Sequence, residues 1–129
     1  MAARKINIVY QPEGSSLCGQ SCVAMIAGIS LSQSIEVIGH KRKTRWAELR
    51  DALTGLGFSV SEKLTKIRSR SDLPRFCIVK KYWGAGNTSH WIVKCNGLTY
   101  DPISGLNCAV LLPFAKKPNV RITSYGEIY

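Results

Sequence analysis

A chain of 129 residues, 45% hydrophobic and 20% charged, is long enough to bury a core and too apolar to remain disordered. Its 18 Lys and Arg against 8 Asp and Glu give a formal charge of +10, which favours acidic partners but does not specify a fold. No apolar run nears the roughly 18 residues of a membrane span, and no long apolar stretch follows Arg4 and Lys5 as in a signal peptide. A single cytoplasmic domain over residues 1–129 is therefore expected.

Residues 6–10 alternate weakly and predict a short strand, and residues 12–16 predict a loop. Ser15 or Ser16 is placed to cap a helix starting near Leu17. Cys22, Val23, Met25, Ile26 and Ile29 give that helix an apolar face suited to a central buried position. Gly28 and Ser30 close it. Ser30 with Gln33 has the form of a capping box for a second helix, which carries Ile35, Val37 and Ile38 and ends at Gly39. Thr44 is expected to cap a third helix, in which Trp46, Leu49, Leu53 and Leu56 recur at helical spacing before Gly55 and Gly57.

Beyond residue 57 the pattern turns to β. Phe58, Val60 and Glu62 alternate, and residues 76–80 predict a strand. Residues 84–87 predict a loop. Residues 90–95 and 98–100 flank Asn96-Gly97, a strong hairpin signal. Residues 109–114 are apolar and ambiguous between helix and strand, and residues 120–125 predict a last strand. Helices first and strands second indicate an α+β fold with an antiparallel sheet.

The hairpin carries the first chemical signal. With Asn96 and Gly97 at the turn, Cys95 faces Leu98 and Ile92 faces Asp101. His90 shares the parity of Ile92, so it projects from the same sheet face as Asp101, a diagonal neighbour at roughly 7 Å. A carboxylate there can hold one ring nitrogen of the histidine and leave the other for a nucleophile. The chain has two histidines. The other, His40, lies beside a helix end in a basic run, a setting that is usually structural or solvated.

Five cysteines, an odd number, argue against a closed disulfide framework. Cys18 falls in the first turn of a helix, where backbone N–H groups and the helix dipole favour a thiolate. Cys22 fits the buried stripe, Cys77 and Cys95 fit strand cores, and Cys108 has no interpretable context. Gln11, in the loop before Cys18, can offer its amide to an oxyanion together with the Cys18 N–H. No second cysteine or histidine pair completes a metal set, and the site calls for no cofactor.

Gln11, the run Cys18-Gly19-Gln20-Ser21-Cys22-Val23-Ala24-Met25-Ile26, then His90-Trp91-Ile92-Val93 and Tyr100-Asp101-Pro102 together resemble the papain-like cysteine peptidases of the double-glycine-leader (bacteriocin-processing) family. The ordered set runs from Gln11 to Pro102. The resemblance implies Cys18 as nucleophile, His90 as base, Asp101 as its orienter and Gln11 as oxyanion donor. It implies a papain-like fold, with an N-terminal helical half packed on an antiparallel sheet and the site in the cleft between them. Leu17 stands where the family commonly has Asp, and the Gln11–Cys18 spacing is slightly longer than usual. The best-known members are fused to membrane transporters, and their export role is not expected to carry over to this chain. Small free-standing members occur in bacteria and phages.

The expected activity is hydrolysis of a peptide or isopeptide bond. Deamidation or acyl transfer by a bacterial or phage effector would use the same residues. The alternative from another class is a non-catalytic papain-like module whose basic surface docks an acidic protein or nucleic acid. Lys41, Arg42, Lys43 and Arg45 form the one tight basic cluster, expected to act apart from the thiol. No zinc-finger or RNP motif accompanies it, so a solvated basic surface is preferred over a nucleic-acid site.

Overall fold

The computed structural model of the chain describes residues 6–68, 73–83, 88–103, 105–107 and 120–129. Three helices come first: α1 (Cys18–Ala27), α2 (Leu31–Ile38) and α3 (Trp46–Gly55). The strands follow as β1 (Thr65–Lys66), β2 (Phe76–Trp83), β3 (Thr88–Cys95), β4 (Leu98–Asp101), β5 (Gly105–Asn107) and β6 (Val120–Glu127). They form one antiparallel sheet in the order β1-β6-β2-β3-β4-β5. The architecture is α+β.

Every residue of α1 from Cys18 to Ile26 is buried. Its apolar side chains fill the space between β3, α2 and α3, and its small residues let neighbours close in. Gly19 is the clearest case: a methyl group there would run into the Thr44 hydroxyl and the Leu49 side chain. Leu49, Leu53 and Trp46 of α3 join Cys22, Val23 and Met25 of α1 against Ile78, Trp91, Val93 and Cys95 of the sheet. The opposite sheet face carries a smaller cluster of Ile67, Cys77, Val79, Ile92 and Ile122. No single helix among the described residues is long and apolar enough to cross a membrane.

Local signals decide several boundaries. Ser30 Oγ accepts from Gln33 N–H at 3.1 Å, and the Gln33 amide oxygen accepts from Ser30 N–H at 2.9 Å, so the capping box of α2 is complete. Asn96 and Gly97 both take positive φ, 52° and 83°, the conformation a two-residue primed turn demands. The ladder then pairs Cys95 with Leu98 and Val93 with Tyr100.

Other expectations need correction. Residues 6–10 form no strand; Ile6 is buried and Ile8 and Val9 pack on the core from an irregular segment, so the alternation reflects one-sided packing without a ladder. Neither Ser15 nor Ser16 caps α1. Its N-cap is Leu17, and the Ser15 hydroxyl accepts from Leu17 N–H one turn position too early, at 3.4 Å. Arg45, not Thr44, is the N-cap of α3, because Thr44 is buried against Gly19. The 58–62 run makes one bridge, Val60 with Ile128, instead of a strand. The 84–87 loop, the 109–114 segment and Cys108 lie outside the described residues.

Candidate active site

The hairpin brings His90 and Asp101 together as the parity argument required. His90 Nε2 donates to Asp101 Oδ1 at 2.7 Å, with both side chains almost fully buried. Asp101 Oδ1 also accepts the Ile103 N–H at 2.8 Å. With Nε2 engaged, Nδ1 is the ring nitrogen left for a second partner. That partner is Cys18, whose sulfur is hydrogen-bonded to the His90 side chain.

Strand ends explain why the thiol fits there. The β3–β4 pairing stops at Val93–Tyr100, so the edge of β3 beyond it is open on the β4 side. The Trp91 N–H on that edge donates to the Cys18 sulfur, as does the Gly19 N–H of the first helical turn. Leu17, as N-cap, offers no side-chain acceptor to the first turn of α1. An Asp at that position would compete for those N–H groups. Here they remain for a sulfur anion or a developing oxyanion.

The electrostatics follow from these contacts. Burial alone would push the Cys18 thiol up, but hydrogen bonds from His90 and the Trp91 N–H, with the His90 charge, pull it below its ordinary value. Burial works against a charged His90, yet the hydrogen bond to Asp101 and the contact with Cys18 raise it above its ordinary value. Burial also opposes an ionised Asp101; His90, the Ile103 N–H and Lys81 overcome it and hold the carboxyl far below its usual range. The set favours a thiolate beside an imidazolium. Cys22, fully buried one turn further along α1, is pushed well above the usual thiol range by burial and by the charges of Cys18 and Asp101. Burial drives Cys77 up to about 12. Cys95 is buried in β3.

Gln11 sits at the other side of this group. Its N–H donates to the Pro102 carbonyl at 3.0 Å, which ties the loop to the residue after Asp101. Its side-chain amide donates to the Ser15 carbonyl at 2.8 Å, and its Oε1 is buried without a partner. The same nitrogen lies 3.4 Å from the Ser15 hydroxyl, so both of its contacts stay inside the loop and the amide would have to turn from Ser15 to meet a substrate.

Two features were not foreseen. Lys81 Nζ lies 3.0 Å from Asp101 Oδ2, with the lysine side chain 13% exposed and the aspartate 6%. Reading β2 only to residue 80 hid it; extending the strand to Trp83 places Lys81 opposite His90. The basic cluster is also not remote. Gln20 Nε2, two residues after Cys18, donates to the carbonyls of His40 and Arg42, both at 3.0 Å. The Thr44 carbonyl accepts the Trp91 indole N–H at 3.2 Å. His40 is paired with Glu48 and turns its Nδ1 to the Arg42 N–H, so it holds the loop together.

Among the described residues, no three His, Cys, Asp or Glu side chains cluster to hold a metal ion. No protein-family model matches the chain, and no curated protein matches it by sequence.

Proposed function

We propose that the chain is a papain-like cysteine hydrolase of the double-glycine-leader peptidase type, acting on a peptide or isopeptide bond. The observation that carries this reading is the continuous chain Cys18–His90–Asp101, with Nε2 on the carboxylate and the thiol on the same ring. The α1-against-β3 packing that positions it agrees with a site between a helical half and a sheet.

The Cys18 thiolate attacks the acyl carbon, and the oxygen becomes an oxyanion held by the Cys18 N–H and by the Gln11 amide as it turns from the Ser15 hydroxyl. The imidazolium of His90 gives its proton to the leaving nitrogen, the C–N bond breaks, and a thioester on Cys18 remains. Water then surrenders a proton to His90, its oxygen adds to the thioester carbon, and the C–S bond breaks to release the acid. Ammonia as the leaving group makes the reaction a deamidation, and an amine in place of water makes it an acyl transfer.

The test is to treat the full chain with a peptidyl acyloxymethyl ketone and map the modified residue by mass spectrometry. A Cys18 adduct that fails to form in His90→Ala is expected. Modification spread over Cys22, Cys77 and Cys95, or unaffected by His90→Ala, would overturn the reading.

A further inference from the structure

Lys43, Arg45 and Lys80 converge on one groove of about 670 Å³, together with Trp46, Tyr82 and Ser89. No Asp or Glu lines it. Among the described residues no carboxylate pairs with Lys43 or Lys80, and Arg45, whose side chain is 86% exposed, stands 3.9 Å from Glu48. Lys43 and Lys80, without a carboxylate partner among the described residues, and Arg45, only loosely paired with Glu48, raise along a concave wall a positive potential that exceeds that of the same charges on a convex surface.

The groove adjoins the thiol site. Ser89 shares the helix-bearing face of β3 with Trp91, whose backbone N–H meets the Cys18 sulfur. Thr44, also in its wall, packs on Gly19 beside Cys18 and accepts the Trp91 indole N–H. An extended chain whose carbonyl lies at Cys18 therefore has the groove next to it. Lys80 is fixed there by its own neighbours: Nζ lies 5.3 Å from the Trp91 ring centre and 5.5 Å from that of Tyr82. Such stacking lowers the entropy cost of using the ammonium as a receptor.

We propose that this groove is the specificity subsite of the Cys18 site and receives Glu or Asp side chains of an acidic peptide substrate. The proposal rests on the cysteine-hydrolase reading above. Carboxylates fit better than nucleic acid because Trp46 and Trp91 are buried and the Lys80 ammonium lies over Tyr82, so base stacking has little open ring surface. What the groove offers a ligand is cations.

The test compares three tripeptidyl acyloxymethyl ketones that differ only in carrying Glu, Gln or Lys next to the reactive carbonyl or one residue before it. The readout is the second-order rate of Cys18 modification. The Glu probe should outpace the Gln probe by about tenfold at low salt, the worth of one good charge contact, with the Lys probe slowest. The ratio should shrink toward one at about 0.5 M salt. In Lys43→Glu and in Lys80→Met the Glu-over-Gln ratio, taken within each variant, should fall several-fold, so a general loss of reactivity cancels. Equal rates for the three probes at Cys18, or a ratio unchanged in both variants, overturns the acidic subsite and leaves the hydrolase reading standing. Failure of every probe and of iodoacetamide to favour Cys18 overturns both. A single-stranded oligonucleotide that protects Cys18 at lower concentration than a Glu-rich peptide of equal charge would also overturn the proposal, in favour of a nucleic-acid groove.

Discussion

Lys81 stands directly across the β2–β3 ladder from His90, yet its ammonium reaches Asp101 on the next strand, at 3.0 Å. One carboxylate thus receives the imidazole on one oxygen and the ammonium on the other. Asp101 cannot turn away from His90 without abandoning Lys81 and the Ile103 N–H as well. This three-strand row, Lys81–His90–Asp101, fixes the ring that faces Cys18.

Removing the ammonium tests that row. Lys81→Met keeps the aliphatic stem and leaves Asp101 its other two partners, so the protein should fold and lose about 1–3 kcal/mol, the worth of a charge-assisted hydrogen bond. Urea unfolding reads this. The alkylation rate of Cys18 should fall less than in Asp101→Asn, since Lys81 touches the orienter and not the base. Equal losses in the two variants would assign the ammonium a larger role than holding the carboxylate.

Asp101→Asn addresses the orienter itself. An amide can present its N–H to His90 Nε2, which favours the tautomer with the proton on Nδ1 and removes the charge that raises His90. Turnover of any substrate the wild type cleaves should drop by roughly 10²-fold or more, by analogy with the loss of an aspartate in serine triads. Retained turnover, with circular dichroism unchanged, would take Asp101 out of the chemistry.

The pH dependence of alkylation follows from the direction of two shifts. Cys18 is lowered and His90 raised, so both shifts favour the thiolate–imidazolium pair over the neutral one, and iodoacetamide should react below the ordinary thiol range. Cys18, lowered by His90, should be modified before Cys22 and Cys77, whose thiols burial raises. In His90→Ala the hydrogen bond and the charge that lower Cys18 both vanish, while burial remains. The onset of reaction should move up by about one pH unit or more. An onset that stays in place would give the shift to the helix terminus alone.

Much of this site was legible because its parts are local. Asn96-Gly97 fixes the turn, the turn fixes the register, and the register fixes the relation of His90 to Asp101. Ser30 and Gln33 likewise satisfy each other within four residues. What stayed hidden depends on distant partners. Lys81 becomes part of the site only through pairing of β2 with β3, and β1 and β5 are edge strands of two and three residues with no periodicity to detect. Thr44 has a good capping side chain, but burial against Gly19 outweighed it. The last strand, β6, inserts between β1 and β2, a choice made by long-range packing.

Asp101 also sets an acid limit on stability. Its folded pKa lies far below the roughly 3.9 of an unfolded chain, so its contribution is fully present above that value and is lost as pH falls through the folded one. The difference in unfolding free energy between wild type and Asp101→Asn should grow from about pH 7 to 5, as His90 takes up a proton that only the charged Asp101 supports, and shrink below about pH 4 as Asp101 itself is protonated. Urea titrations at fixed pH steps measure it. A difference that keeps growing below about pH 4 would contradict the depressed carboxyl.

Gln20 joins the thiol helix to the basic loop. It is fully buried, and its Nε2 donates to the carbonyls of both His40 and Arg42. Gln20→Leu keeps the volume but strands two carbonyls, a loss of about 1–3 kcal/mol for each one left without water. The loop carries Thr44 against Gly19, and through its carbonyl it holds the Trp91 indole. Freed from Gln20, the loop should loosen on this side of Cys18, and hydrogen exchange of residues 40–44 should quicken. Alkylation of Cys18 by iodoacetamide should change less than modification by a Glu-bearing peptide probe, because His90 and Asp101 are held by the sheet while Lys43 and Arg45 are held by the loop. If both reactions fall equally, the loop supports the thiol itself, and the groove and the nucleophile must be treated as one unit.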